Sequence, residues 1–123
     1  EQATLTARNI VFKSGYLVSS TADVQGGSIS MSAGRLMTYN CSFVNIRRAT
    51  GSGKIAYGGA VYATSTSTVI MANTTLSSNL ATAASGGAQG GALALSSFSG
   101  SVSLKNCVFK SNVASGMALS SLK

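Results

Sequence analysis

The chain has no histidine, no tryptophan and no proline, and its only carboxylates are Glu1 and Asp23. Without histidine there is no imidazole base for triad or general-base chemistry and no Cys/His metal site. Glycoside hydrolysis usually needs two facing carboxylates, and a Ca²⁺-assisted reaction needs several oxygen ligands. One terminal and one internal acid can supply neither. The expectation is that the chain is not an enzyme and carries no cofactor and no metal. No apolar run approaches the roughly 18 residues that cross a bilayer as a helix, so no membrane-spanning segment is expected. Charged residues make up only 9% of the 123 positions, against about 25% in an ordinary globular domain. Residues 55 to 104 hold no charge at all.

What charge there is has one sign. Nine basic residues give a net charge of +7, spread thinly as Arg8, Lys13, Arg35, Arg47, Arg48, Lys54, Lys105, Lys110 and Lys123. Nucleic-acid surfaces gather such residues on one face, with stacking aromatics for single strands. No nucleic-acid partner is therefore expected; glycans or acidic surface polymers suit the charge better. Arg47, Arg48 and Lys54 are the candidate polyanion contacts, in a segment read as a flexible loop. That segment resembles a phosphate loop only superficially, because Arg48 stands where the first glycine belongs and Ile55 where Ser or Thr must reach the metal.

The informative presence is a period. The pairs Gly26-Gly27, Gly58-Gly59 and Gly90-Gly91 are spaced by 32 residues, and each opens a short alternating segment. A second column, Asn9, Asn40, Asn73 and Asn106, follows at spacings of 31, 33 and 33. Three residues after each lies Phe12, Phe43, Leu76 or Phe109. Leu5, Leu36, Val69 and Val102 precede the column by four, and Ala7, Thr38, Met71 and Leu104 by two. Alternation of period 2 marks strands with one buried face, and a fixed period of this length marks stacked repeats. The predicted fold is all-β: a right-handed parallel β-helix of three to four coils of about 32 residues. Ile29, Val61 and Leu93 should form one inward ladder, and Phe12, Phe43, Leu76 and Phe109 another, buried in line. Gly27, Gly59 and Gly91 should allow close backbone approach or a positive-φ corner.

The Asn column reads as structural, with side-chain amides stacked at a corner. Asn40-Cys41-Ser42 and Asn73-Thr74-Thr75 also match the glycosylation acceptor pattern, whereas Asn9 and Asn106 do not. Cys41 and Cys107 each follow a column Asn, two coils apart. Stacking sets them about 9.6 Å from each other, beyond the roughly 7 Å that a disulfide spans. They should be unpaired and buried within the chain, with pairing to another chain the alternative. Tyr57 and Tyr62, read as outward, are the candidates to stack on sugar rings. Thr64, Thr66 and Thr68 alternate as a hydroxyl patch would, but offsets of 32 do not repeat it.

The tetrapeptides Gly58-Gly59-Ala60-Val61, Gly90-Gly91-Ala92-Leu93 and Phe109-Lys110-Ser111-Asn112, with the weaker copy Leu76-Ser77-Ser78-Asn79, resemble the repeat of the polymorphic outer membrane proteins. That family was first recognised in chlamydial autotransporter passengers. Gly26-Gly27-Ser28-Ile29 departs from the pattern, as do Phe12-Lys13-Ser14-Gly15 and Phe43-Val44-Asn45-Ile46. Gly116-Met117-Ala118-Leu119 reads as a degenerate fourth opening strand. The resemblance implies a pectin-lyase-like right-handed β-helix displayed outside the cell, often in adhesion. The resulting expectation is a non-catalytic structural or adhesive module, extracellular or at the cell surface, in a surface protein or filament. A carbohydrate-binding module is the alternative. Residues 1–123 then form one solenoid segment, read as an excerpt of a longer repeat protein that starts and stops mid-repeat. Its partners are neighbouring modules or protomers, because uncapped coils leave open strand edges.

Overall fold

A computed structural model describes residues 3–50, 53–84 and 86–115, with Arg48 described by its backbone alone. Residues Glu1, Lys123 and the segment Gly116-Met117-Ala118-Leu119 lie outside them. The described residues form eighteen strands and no helix. The first coil runs through β1 (Ala3–Arg8), β2 (Val11–Lys13), β3 (Tyr16–Ser19), β4 (Val24–Gln25) and β5 (Ile29–Ser32). The second repeats them as β6 (Gly34–Tyr39), β7 (Ser42–Val44), β8 (Arg47–Thr50), β9 (Ala56–Tyr57) and β10 (Val61–Ser65). The third follows as β11 (Thr68–Ala72), β12 (Thr75–Ser77), β13 (Leu80–Ala83), β14 (Ala88–Gln89) and β15 (Leu93–Phe98). A fourth begins with β16 (Ser101–Lys105), β17 (Val108–Lys110) and β18 (Val113–Ser115). Equivalent strands pair in parallel into five sheets, ordered β1-β6-β11-β16, β2-β7-β12-β17, β3-β8-β13-β18, β4-β9-β14 and β5-β10-β15. The molecule is a parallel β-solenoid of about three turns.

The register is the one the period predicts. Leu5, Leu36, Val69 and Val102 align, as do Phe12, Phe43, Leu76 and Phe109, and Ile29, Val61 and Leu93. Within the middle coils these side chains are sealed: Leu36, Val69, Phe43, Leu76 and Val61 are all 0% exposed. Phe12 stacks on Phe43 with ring centroids 4.6 Å apart and planes 5° from parallel. A second, narrower core of Val24, Ala56, Ala81, Ala88 and Ala114 fills the other side of the coil. There the small side chains let short strands approach each other closely.

Corners are made by residues that tolerate a left-handed backbone. Asn9, Asn40, Asn73 and Asn106 have φ between 50° and 56°, and Gly26, Gly58 and Gly90 between 55° and 63°. Asn and Gly reach this region most readily. Ser14, Asn45, Ser78 and Ser111 form another such column, and Ala33, Ser65 and Ser97 a further one. The glycine pairs divide their work. The first turns the chain, and the second lets backbones meet: a Cβ on Gly59 would lie 1.8 Å from the Gly91 carbonyl oxygen.

Two of these expectations need correction, and the threonine alternation, which the period does not repeat, is also broken within its own coil. Phe109 aligns with its column but is 45% exposed, because no described coil stacks beyond it. Arg47 and Arg48 belong to a strand, β8, rather than a loop, paired to β3 and β13. Thr64 and Thr68 lie on different sheets, separated by the left-handed corner at Ser65 (φ 59°). The Ser67 hydroxyl donates to the Thr64 carbonyl at 2.6 Å and braces that bend. These threonines therefore share no flat face.

Candidate functional site

An amide ladder runs inside the stack. Asn79 is 1% exposed, so each of its polar atoms needs a partner. Its Nδ2 donates to the Phe43 carbonyl and to Asn112 Oδ1, both at 3.0 Å, while its Oδ1 accepts the Ile46 N–H at 3.1 Å. Asn112 repeats the pattern one coil on. Its Nδ2 donates to the Leu76 carbonyl at 2.8 Å and its Oδ1 also accepts the Asn79 N–H at 3.1 Å. Each Asn thus clamps its coil to the preceding one. The sequence shows these two residues only as the last letters of a tetrapeptide, and their burial is what gives them this role.

The leading Asn column lies outside the core. Asn40 and Asn73 are exposed, and Asn40 Nδ2 donates to Asn9 Oδ1 at 3.3 Å. The next column, Ile10, Cys41, Thr74 and Cys107, points its polar atoms at main-chain oxygens. Cys41, Thr74 and Cys107 each donate to the carbonyl two residues earlier. Because Thr74 donates to Ala72, its oxygen accepts from Thr38 in the buried pair at 3.0 Å. Both cysteines are free; Cys41 is buried and Cys107 half-buried at the last described coil.

Tyr62 does not face outward. It is 6% exposed and packs beside Tyr57, with ring centroids 5.4 Å apart. Burial against its neighbours removes the sugar-stacking surface expected of it. Tyr57 is half-buried, and burial pushes its phenol above the usual 10.0, helped by the nearby charge of Asp23 and by Tyr62. Asp23 accepts the Ile55 N–H at 2.8 Å, bridging two coils. Arg47 is exposed and Lys54 half-buried; the Lys54 carbonyl accepts from Thr50 Oγ1 at 3.3 Å. The aromatic–cation contact lies elsewhere, with the Arg8 guanidinium 4.3 Å from the Tyr39 ring centroid. Among the described residues no cluster of three His, Cys, Asp or Glu gathers as a metal site. Nor is any helix among them long and apolar enough to cross a membrane.

The two end faces are the other conspicuous surfaces. At the first coil Leu5, Ile10 and Leu17 are exposed, and at the last Val102, Leu104 and Phe109. Apart from Leu17, whose column continues through Arg48 to the buried Ala81, these occupy inward columns that are sealed in the middle coils. At the last coil they border an open hollow of about 490 Å³ lined by Leu93, Leu95, Leu104, Phe109 and Asn112. Among the described residues, each face presents a cross-section of the core bordered by edge strands, β1, β2 and β3 at one end and β16, β17 and β18 at the other.

Compared with protein-family models, curated proteins and solved structures, the chain matches none. The β-solenoid is therefore established by the strand register, and the likeness to the polymorphic outer membrane protein repeat rests on the motifs.

Proposed function

We propose that this chain is a non-catalytic structural or adhesive β-solenoid module of an extracellular or cell-surface protein or filament. In this reading each end face is covered by a neighbouring module or protomer. The observation that carries it is the pair of apolar end faces, where Leu5 and Leu17 on one side and Leu104 and Phe109 on the other stand exposed. A repeat cannot bury its own open face, and stacking supplies the missing partner. The residue inventory agrees, since the chain has no histidine and two carboxylates. The Gly-Gly-Ala and Phe-x-x-Asn motifs, which resemble those of surface-displayed repeats, support the reading. The carbohydrate-binding alternative has lost Tyr62 as its platform, and no observation favours it.

The test is antibody labelling of intact source cells with antiserum raised to this protein, before and after protease shaving. Surface labelling that shaving removes is the expected result. Labelling seen only after permeabilisation overturns the reading.

A further inference from the structure

The charges on the terminal strands are not scattered with respect to the stack. Register places Arg8, Tyr39, Ala72 and Lys105 in one outward column. It places Lys13, Val44, Ser77 and Lys110 in a second. In both columns the interior is neutral and each end is basic, with all four cations exposed. The apolar columns beside them behave oppositely. Continuing the register by one step would set a second copy's Leu5 on Val102, its Ala7 on Leu104 and its Phe12 on Phe109. Packing alone would favour such a head-to-tail stack. The same step would set Arg8 on Lys105 and Lys13 on Lys110, about 4.8 Å apart, and like charges directly opposite in a sheet are destabilising. Among the described residues the one carboxylate side chain, Asp23, offers no relief, because it lies in another part of the coil and is engaged with Ile55.

We propose that each end face docks a parallel β-coil of different sequence that carries carboxylates over the Arg8/Lys105 and Lys13/Lys110 columns, and that the same cations exclude a second copy of this chain. This rests on the reading of the chain as a stacking module and names the chemistry of its neighbour. The end cations select among coils that the apolar cross-section alone would not distinguish, since charge placement sets partner choice more than total affinity. Lysine on exposed edge strands is a known protection against indiscriminate edge pairing.

Charge reversal makes the protein its own acidic probe. Sedimentation velocity is measured on the full chain at about 20 mM and about 500 mM salt, which changes the screening length several-fold. The wild-type protein is expected to be monomeric at low salt. K105E/K110E creates an acidic last coil that should accept the Arg8/Lys13 end of the next molecule. It should form head-to-tail stacks of about twice the monomer mass or more, dispersed by high salt. R8E/K13E should do the same from the other end. The quadruple variant, repulsive again, should return to monomer. Circular dichroism reports folding of each variant, and either double variant suffices if the other does not fold. Wild-type stacking at low salt, a folded double variant that stays monomeric, or stacking retained by the quadruple variant would each overturn the proposal. Surface labelling of cells is independent of these substitutions, so failure here is distinguishable from failure of the module reading.

Discussion

Asn79 Nδ2 reaches Asn112 Oδ1 across a coil boundary at 3.0 Å, and the same nitrogen holds the Phe43 carbonyl at 3.0 Å on the other side. One buried amide therefore ties three successive coils. In a solenoid, where each coil touches only its neighbours, such a tie resists separation of one coil from the next. It also fixes register, because a slip of one residue would strand the amide against apolar side chains.

Asn79→Ala should be among the most destabilising polar substitutions in the chain. It leaves the Phe43 carbonyl and the Ile46 N–H without their partner, at roughly 2–6 kcal/mol for two buried groups. Asn112→Ala should cost less, because Asn112 is only half-buried. Urea unfolding of both variants checks the order, and equal costs would mean that the ladder does not act through burial.

Position in the stack should decide the cost of core truncation. Leu76→Ala removes a side chain with 0% exposure and is expected to cost about 2–5 kcal/mol. Phe109→Ala, in the same column but 45% exposed, should cost well under half as much. Thermal or urea denaturation distinguishes the two. A Phe109→Ala penalty as large as that of Leu76→Ala would show that the last coil is covered in solution.

Gly59→Ala should prevent the native stack from forming, since its Cβ would lie 1.8 Å from the Gly91 carbonyl oxygen and 2.9 Å from the Leu80 nitrogen. Gly53→Ala meets nothing within 4 Å and should cost only the left-handed backbone strain at φ 74°, roughly 1–2 kcal/mol. Soluble yield and circular dichroism of the two variants provide the comparison.

Alkaline stability should depend on Tyr57. Its phenol is held above the usual 10.0 chiefly by burial, so the folded state keeps a proton that the unfolded chain releases first. The resulting stabilisation is fully present below pH 10.0 and is lost as pH rises through the higher folded value. Tyr57→Phe should flatten that part of the stability–pH profile and leave the neutral range unchanged. Urea midpoints measured across the alkaline range for both proteins check it.

The two thiols should differ. Under native conditions a thiol reagent is expected to modify the half-buried Cys107 before the buried Cys41, whose Sγ donates to the Ala7 carbonyl at 3.5 Å. Equal rates would mean that the coil over Cys41 opens as readily as the end frays.

Much of this architecture was legible in the residues. The spacing of Gly26, Gly58 and Gly90 gave the coil length, and alternation around Leu36, Thr38, Val69 and Met71 gave the inward face. Their alignment in the stack follows from those two patterns, because parallel strands of equal period leave little freedom of register. Tyr62 was not legible. As a sugar-stacking candidate it needs to face outward, and only packing beside Tyr57 makes it a buried residue. Arg47 and Arg48 were misread as loop because Gly and Ser crowd the residues just after them, whereas the partner strands β3 and β13 extend the pairing through both.

The sequence by itself determined the repeat, the corners and the inward columns, since these are local properties of side-chain period and backbone tolerance. The tertiary structure decided what each copy of a repeated residue became. Phe43 and Phe109 occupy one column, yet one is core and the other surface, because burial is conferred by the coils above and below. Asn79 and Asn73 are the same amide six residues apart, yet one clamps three coils and the other faces solvent. Arg8 and Lys105 are 97 residues apart in the chain, and only stacking shows that they share a column and guard opposite ends of it.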